Sequence, residues 1–155
     1  MTVSKRKLYS QYKETSYPWI GDIPMHWITC KVKHLFELSK EKVSEEDPQI
    51  LSLTKKGIIK RDISNFEGQI ASTYDGYHRV NIGDIVFNPM DLRSGFVDSS
   101  PFTGIISPAY TILKPTTDLS KSFYGRWFQR HYLEYIFWPF GTGVSYEYRW
   151  TLRDE

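Results

Sequence analysis

The stretch Tyr77-His78-Arg79-Val80-Asn81-Ile82-Gly83-Asp84-Ile85-Val86-Phe87 decides the fold class. It holds two short strand candidates, Tyr77–Val80 and Asp84–Phe87, on either side of the turn-forming Asn81-Ile82-Gly83. Outward from it the pattern repeats. Gly95–Asp98 and Ala109–Leu113 are two more strand candidates, with Ile105-Ile106 between them and Pro115 ending the run. Upstream, Gln49–Thr54 alternates as a strand does. Lys55-Lys56-Gly57 reads as its turn, and Ile58-Ile59 starts the return strand. Glu41–Pro48 reads as a charged loop, and Val32, Leu35 and Phe36 have the spacing of a short helix. Downstream, Ser120 or Ser122 is placed to cap a helix running to about Trp138. Its apolar stripe would be Phe123, Trp127, Phe128, Leu133 and Ile136, and Pro139 would stop it. Gly141-Thr142-Gly143 then reads as a turn and Tyr146–Leu152 as a last strand. The expected fold class is α+β: a mostly antiparallel, twisted sheet with one main helix.

A chain of 155 residues suits one domain and can bury roughly 68–70% of its unfolded surface. Residues 1–16 are polar and basic and read as a flexible N-terminal arm, leaving residues 17–155 as a single domain. The segment from Tyr17 to Trp27 carries two prolines, one glycine and two tryptophans, which suits neither a helix nor a regular strand. It reads as an extended strap pinned by Trp19 and Trp27, structural or partner-facing. Truncating a buried tryptophan there would cost about 3–5 kcal/mol.

The formal net charge is only +2, so the distribution of charge carries more information than its sum. Basic residues gather at Lys5-Arg6-Lys7, at Lys31 and Lys33, and at Lys55-Lys56 with Lys60-Arg61. Acid gathers at Glu45-Glu46-Asp47. Cys30 is the sole cysteine, so no disulfide forms within the chain and no cysteine zinc cage exists, which suits a reducing cytoplasm. No apolar run approaches the ~20 residues of a membrane helix.

Motifs for catalysis are missing. Asn88-Pro89-Met90-Asp91 lacks the second proline and the stacking aromatic of an amino-methyltransferase motif. Phe140-Gly141-Thr142-Gly143 lacks a phosphate-binding lysine. His26, His34, His78 and His131 have no zinc spacing and read as surface or hydrogen-bonded histidines. Asp62, Glu67, Asp84 and Asp91 show no Mg²⁺ pattern. No catalytic residue, metal or cofactor is expected in this chain.

Three blocks carry a family resemblance. Trp19-Ile20-Gly21-Asp22-Ile23-Pro24, with His26-Trp27 close behind, is similar to the opening strap of type I restriction–modification specificity subunits. Gly83-Asp84-Ile85-Val86-Phe87-Asn88, then Met90-Asp91 and Gly95, resembles the central strand pair of their target-recognition domains. Gly104-Ile105-Ile106-Ser107-Pro108-Ala109-Tyr110 resembles the segment that follows. The blocks keep the family's order over about residues 17–115. The chain thus looks like the first recognition domain alone, without the long helices that separate two such domains in the full subunit. The resemblance implies a non-catalytic module that reads half of a split double-stranded DNA target for partner methyltransferase and endonuclease subunits. S-adenosylmethionine, ATP and Mg²⁺ would then belong to those partners, and the target base would be flipped into the methyltransferase pocket. The competing expectations are a protein-interaction fragment without DNA binding and a small nuclease or methyltransferase fragment.

Arg and Lys recognise guanine edges and phosphates, and Asn and Gln recognise adenine. The candidate DNA contacts are therefore Lys55, Lys56, Arg61, Arg79 and Arg93 at or near expected turns, with Asn88 and Ser94 as polar contacts and Tyr74 and Tyr77 beside Arg79. Arg93, in a tight turn, would present a guanidinium fork to a guanine, while Lys55 and Lys56 suit phosphates.

Overall fold

The computed structural model describes residues 9–42, 48–61, 74–90, 96–142 and 151–152. They fall into two compact units, one ending at Val32 and one beginning at Lys33. The strap, Tyr17 to Trp27, lies in the first unit.

In the first unit, β1 (Tyr12–Lys13) pairs antiparallel with β2 (Ile23–Pro24), so the end of the expected arm is hydrogen-bonded to the strap. Ile23 is buried, but Trp19 is 39% exposed and Trp27 37% exposed. Trp19 leans on Tyr17, with ring centroids 5.8 Å apart, and Trp27 meets the Tyr9 ring edge-on at 6.1 Å. The tryptophans are therefore half-buried packing partners rather than core pins.

The second unit is built from antiparallel ladders. One sheet has the order β3 (Phe36–Ser39), β10 (Thr111–Pro115), β7 (Ile85–Phe87), β8 (Val97–Ser99). The hairpin β4 (Leu51–Thr54) and β5 (Gly57–Lys60) turns at Lys55-Lys56, as expected. A third ladder joins β6 (His78–Val80) to β9 (Gly104–Ile106).

These pieces close into a ring of neighbours. The Ile105 N–H donates to the Gln49 carbonyl at 2.9 Å, and Ile50 bridges Ile105, which joins β4 to β9. Lys42 bridges His78, and the Arg79 N–H donates to the Glu41 carbonyl at 2.7 Å, which joins β6 to the chain beyond β3. Between β5 and β8 a side chain replaces the backbone ladder: Asp98 Oδ2 accepts the Ile58 N–H at 3.1 Å. Inside the ring sit Leu51, Leu53, Ile58, Val80, Val86, Ile106 and Ile112, all buried, with Phe96, Phe102 and Tyr110 packed against them.

All three residues of β7 are buried. Strand alternation turns Val86 into the ring and Ile85 and Phe87 toward the opposite face. Helix α1 (Lys121–Leu133) covers that face, with Phe128 and Tyr124 against Phe36 and Tyr132 against Phe87. Its buried positions are Gly125, Phe128, His131 and Tyr132. The expected stripe is displaced, since Phe123 is 42% and Leu133 63% exposed. Gly125 sets the rotation: a Cβ there would lie 3.2 Å from Ser99 Cβ, so the helix approaches β8 through its one residue without a side chain.

The helix also ends earlier than Trp138. Tyr135 takes φ 58, the Ile136 N–H donates to the His131 carbonyl, and the Tyr135 N–H donates to the Tyr132 carbonyl. That pair of bonds is a Schellman ending, which stops the helix five residues short. Ser120 is its N-cap residue but makes no side-chain capping bond.

Other expectations change too. The short helix at Val32–Phe36 is a 3-10 turn over Val32–His34 followed by β3, because Phe36 to Ser39 pair with β10. Gly141–Thr142 is not a turn but the strand β11, paired with β12 (Thr151–Leu152). The rest of the expected strand from Tyr146 lies outside the described residues.

Candidate nucleic-acid interface

The hairpin presents Lys55 and Lys56 at its tip, both exposed. The tip is rigid for local reasons. Thr54 Oγ1 accepts the Lys56 N–H at 3.1 Å and donates to the Gly57 carbonyl at 2.8 Å. Gly57 has φ +97, and a Cβ on it would collide with Asp98 Oδ2, so the tip rests directly on β8.

Arg61 lies at the other end of the hairpin. Leu51 pairs with Lys60 and Thr54 with Gly57, so roughly 16 Å of strand separates Arg61 from Lys56. The Arg61 N–H donates to the Ile50 carbonyl at 2.8 Å, Ile50 bridges Ile105, and Ile105 stands opposite Arg79. Arg61 and Arg79 therefore end one row across four neighbouring segments, on the order of 14 Å apart at the usual strand spacing. Both are half-buried.

Tyr74 and Tyr77 stand just before β6. The Tyr77 N–H donates to the Tyr74 carbonyl at 3.0 Å, and Gly76 takes φ +90, which makes a tight turn that needs glycine at its third position. The two rings meet edge to face at 5.2 Å, so each tyrosine is held by the other beside Arg79.

Asn88 is separate from this group. Its Oδ1 accepts the Met90 N–H at 3.0 Å and its N–H donates to the Phe96 carbonyl, which gives it a turn-forming role after β7. Arg93 and Ser94 lie outside the described residues, as do Asp62, Glu67 and Asp91.

Sequence reasoning missed the charges that surround Arg79. Glu41 Oε1 lies 3.6 Å from Arg79 Nε, and Lys114 Nζ donates to Glu41 Oε2 at 2.5 Å. That hydrogen bond, and then the Lys114 charge, hold the Glu41 carboxyl below the usual carboxylate range. Lys42 stands directly across from His78, and Lys40 and Lys42 are exposed. His78 is only 8% exposed, and its Nδ1 has no hydrogen-bond partner among the described residues. Burial, then the charges of Lys42 and Lys40, push its imidazole below the ordinary value. Nearby, burial pushes the Asp84 carboxyl up, against a bond from the Asn81 N–H at 2.8 Å that works the other way. No local signal marks this cluster, because Lys40-Glu41-Lys42 meets Arg79 and Lys114 only through pairings dozens of residues apart.

A shallow cleft beside α1 is lined by Ser99, Ser100, Lys121, Ser122, Arg126 and Gln129. Lys121 spends its ammonium on the Ile82 carbonyl at 3.2 Å. Among the described residues no three His, Cys, Asp or Glu side chains gather as a metal site, and no helix is long and apolar enough to cross a membrane.

In comparisons with known proteins, no family model and no curated protein matches the chain.

Proposed function

We propose that the chain binds double-stranded DNA as the target-recognition module of a type I restriction–modification specificity subunit. In this role it reads half of a split site in the cytoplasm and leaves methylation and cleavage to partner subunits. The observation that carries the reading is the row ending in Arg61 and Arg79, flanked by the Tyr74–Tyr77 turn. It sets two guanidinium groups and two aromatic rings on closed, hydrogen-bonded scaffolding, as groove readout requires. Lys55 and Lys56, on a separate rigid tip, suit phosphate contacts. The half-exposed Trp19 and Trp27 suit a protein partner, because aromatic rings are enriched in such interfaces.

The test is a fluorescence-anisotropy titration of this chain with a mixed-sequence duplex at several salt concentrations. The expected affinity is ~10⁻⁴ to 10⁻⁶ M, falling steeply with salt. Lys55→Gln and Lys56→Gln should each lower the magnitude of the salt slope by about 1. No duplex binding at low salt would overturn the reading.

A further inference from the structure

A buried imidazole sits at one of the seams that close the ring. On one side His78 is paired with Ile106 of β9, and on the other it stands directly across from Lys42, with Lys40 close by and exposed like Lys42. Its Nδ1 is buried, and no group among the described residues bonds it. The two flanks of β6 are not alike. Toward β9, His78, Arg79 and Val80 are all paired. Toward the Glu41–Lys42 segment, the contacts among the described residues are the bond from the Arg79 N–H to the Glu41 carbonyl, the Lys42–His78 bridge, and the ion pairs of the exposed Glu41 with Arg79 and Lys114. Ion pairs open to water contribute little to stability.

We propose that His78 is a proton-sensitive latch: neutral, it lets the seam between β6 and the Glu41–Lys42 segment close, and on taking up a proton it parts that seam while β6 stays on β9.

A protonated His78 would be a buried cation with Lys42, a like charge, directly opposite on the neighbouring segment. Such a pair destabilises an antiparallel contact. Burial, then the charges of Lys42 and Lys40, already hold the imidazole below its ordinary value. Glu41, the acidic residue of this seam, is engaged by Lys114 and Arg79, and Ile106 on the β9 side brings no charge. Parting the seam gives the new cation water and distance from Lys42. The open seam restores the ordinary value of 6.5, and the closed seam holds a lower one. Opening therefore takes up a proton between those two values, so the closed form is favoured above pH 6.5 and loses ground as pH falls below it. Because β6 carries Arg79 and follows the Tyr74–Tyr77 turn, the latch governs how firmly those side chains are held. The inference stands apart from the DNA-binding reading, since its test needs no ligand.

The experiment is hydrogen exchange of the whole chain, followed amide by amide by NMR. The Arg79 N–H, bonded across the seam to Glu41, is the reporter, and the Ile105 N–H, bonded to the Gln49 carbonyl between β9 and β4, is the control. Each rate is divided by that of an unstructured peptide at the same pH. The Arg79 ratio should be flat above pH 6.5 and climb by about tenfold per pH unit below it. It should not respond to dilute urea, because a parted seam exposes little surface. The Ile105 ratio should be smaller at every pH and should rise with urea. His78→Gln should make the Arg79 ratio independent of pH. Lys42→Gln should shorten the climb, because the closed seam then tolerates the proton better. Thermal melts of both variants check that the fold is kept. If Arg79 and Ile105 share one ratio and one urea dependence, the seam parts only with the whole fold and the latch is wrong. A climb that survives His78→Gln, or one of wild-type size in Lys42→Gln, overturns it as well.

Discussion

The two units use aromatic residues in opposite ways. In the first, Tyr9, Tyr12, Tyr17, Trp19 and Trp27 touch one another edge-on or tilted, and each keeps more than a third of its surface exposed. In the second, Phe36, Phe87, Phe128 and Tyr132 are nearly lost to solvent between α1 and the sheet. The difference is one of layers. A two-residue ladder has nothing to cover its rings, whereas a ring of strands with a helix laid on it buries both faces of β7. Aromatic richness in a segment therefore measures the surface available for contact, and a second layer decides whether that surface becomes core.

The largest expected effect tests the second unit. Ile106 is fully buried inside the ring, and Ile106→Ala should lower the stability of the chain by about 2–5 kcal/mol in a denaturant melt. A loss under about 1 kcal/mol would mean that the ring core is not the source of stability.

Gly57→Ala should come next, at about 1–3 kcal/mol, because alanine is strained at φ +97 and its Cβ meets Asp98 Oδ2. Adding Asp98→Ala should recover the steric part and leave the backbone part. A double-mutant cycle with no coupling would show that the hairpin tip does not rest on β8.

A pH series gives a smaller, signed effect. The folded-state pKa of His78 lies below its unfolded value of 6.5, so the unfolded chain binds more protons between the two. The stability linked to His78 is thus fully present above about pH 6.5 and is lost as pH falls through the folded pKa. His78→Gln should flatten that part of the stability profile, measured by melts at closely spaced pH values. An unchanged slope would place the imidazole in water.

The smallest effects belong to the first unit. Trp19→Ala and Trp27→Ala should each cost less than about 1 kcal/mol in the isolated chain, well under the value for a buried tryptophan. A loss of 3 kcal/mol or more from either would erase the contrast between the units.

Local chemistry alone determined the α+β class, the β4–β5 hairpin with its Lys55-Lys56 tip, the positions of β7 and β10, and the start of α1. Each of these rests on alternation, turn residues or a break in periodicity within about ten residues. Where neighbours across the fold competed with that local pattern, they won. Phe36 left the expected helix because β10 offered it a ladder, and α1 turned its Gly125 face inward because only glycine lets β8 come close. The helix stopped at Leu133 because Tyr135 accepted a left-handed turn that nothing in its identity announces. The candidate interface shows the same division. Lys55, Lys56, Arg61, Tyr74, Tyr77 and Arg79 were legible as polar or aromatic residues near turns. That Arg61 and Arg79 share a row and that Lys114 meets Glu41 beside Arg79 were decided by strand pairing, and that Asn88 is occupied in its own turn by a bond two residues along the chain. Such pairing brings together residues as far apart in the chain as Phe36 and Pro115, a distance over which no periodicity in the sequence carries information.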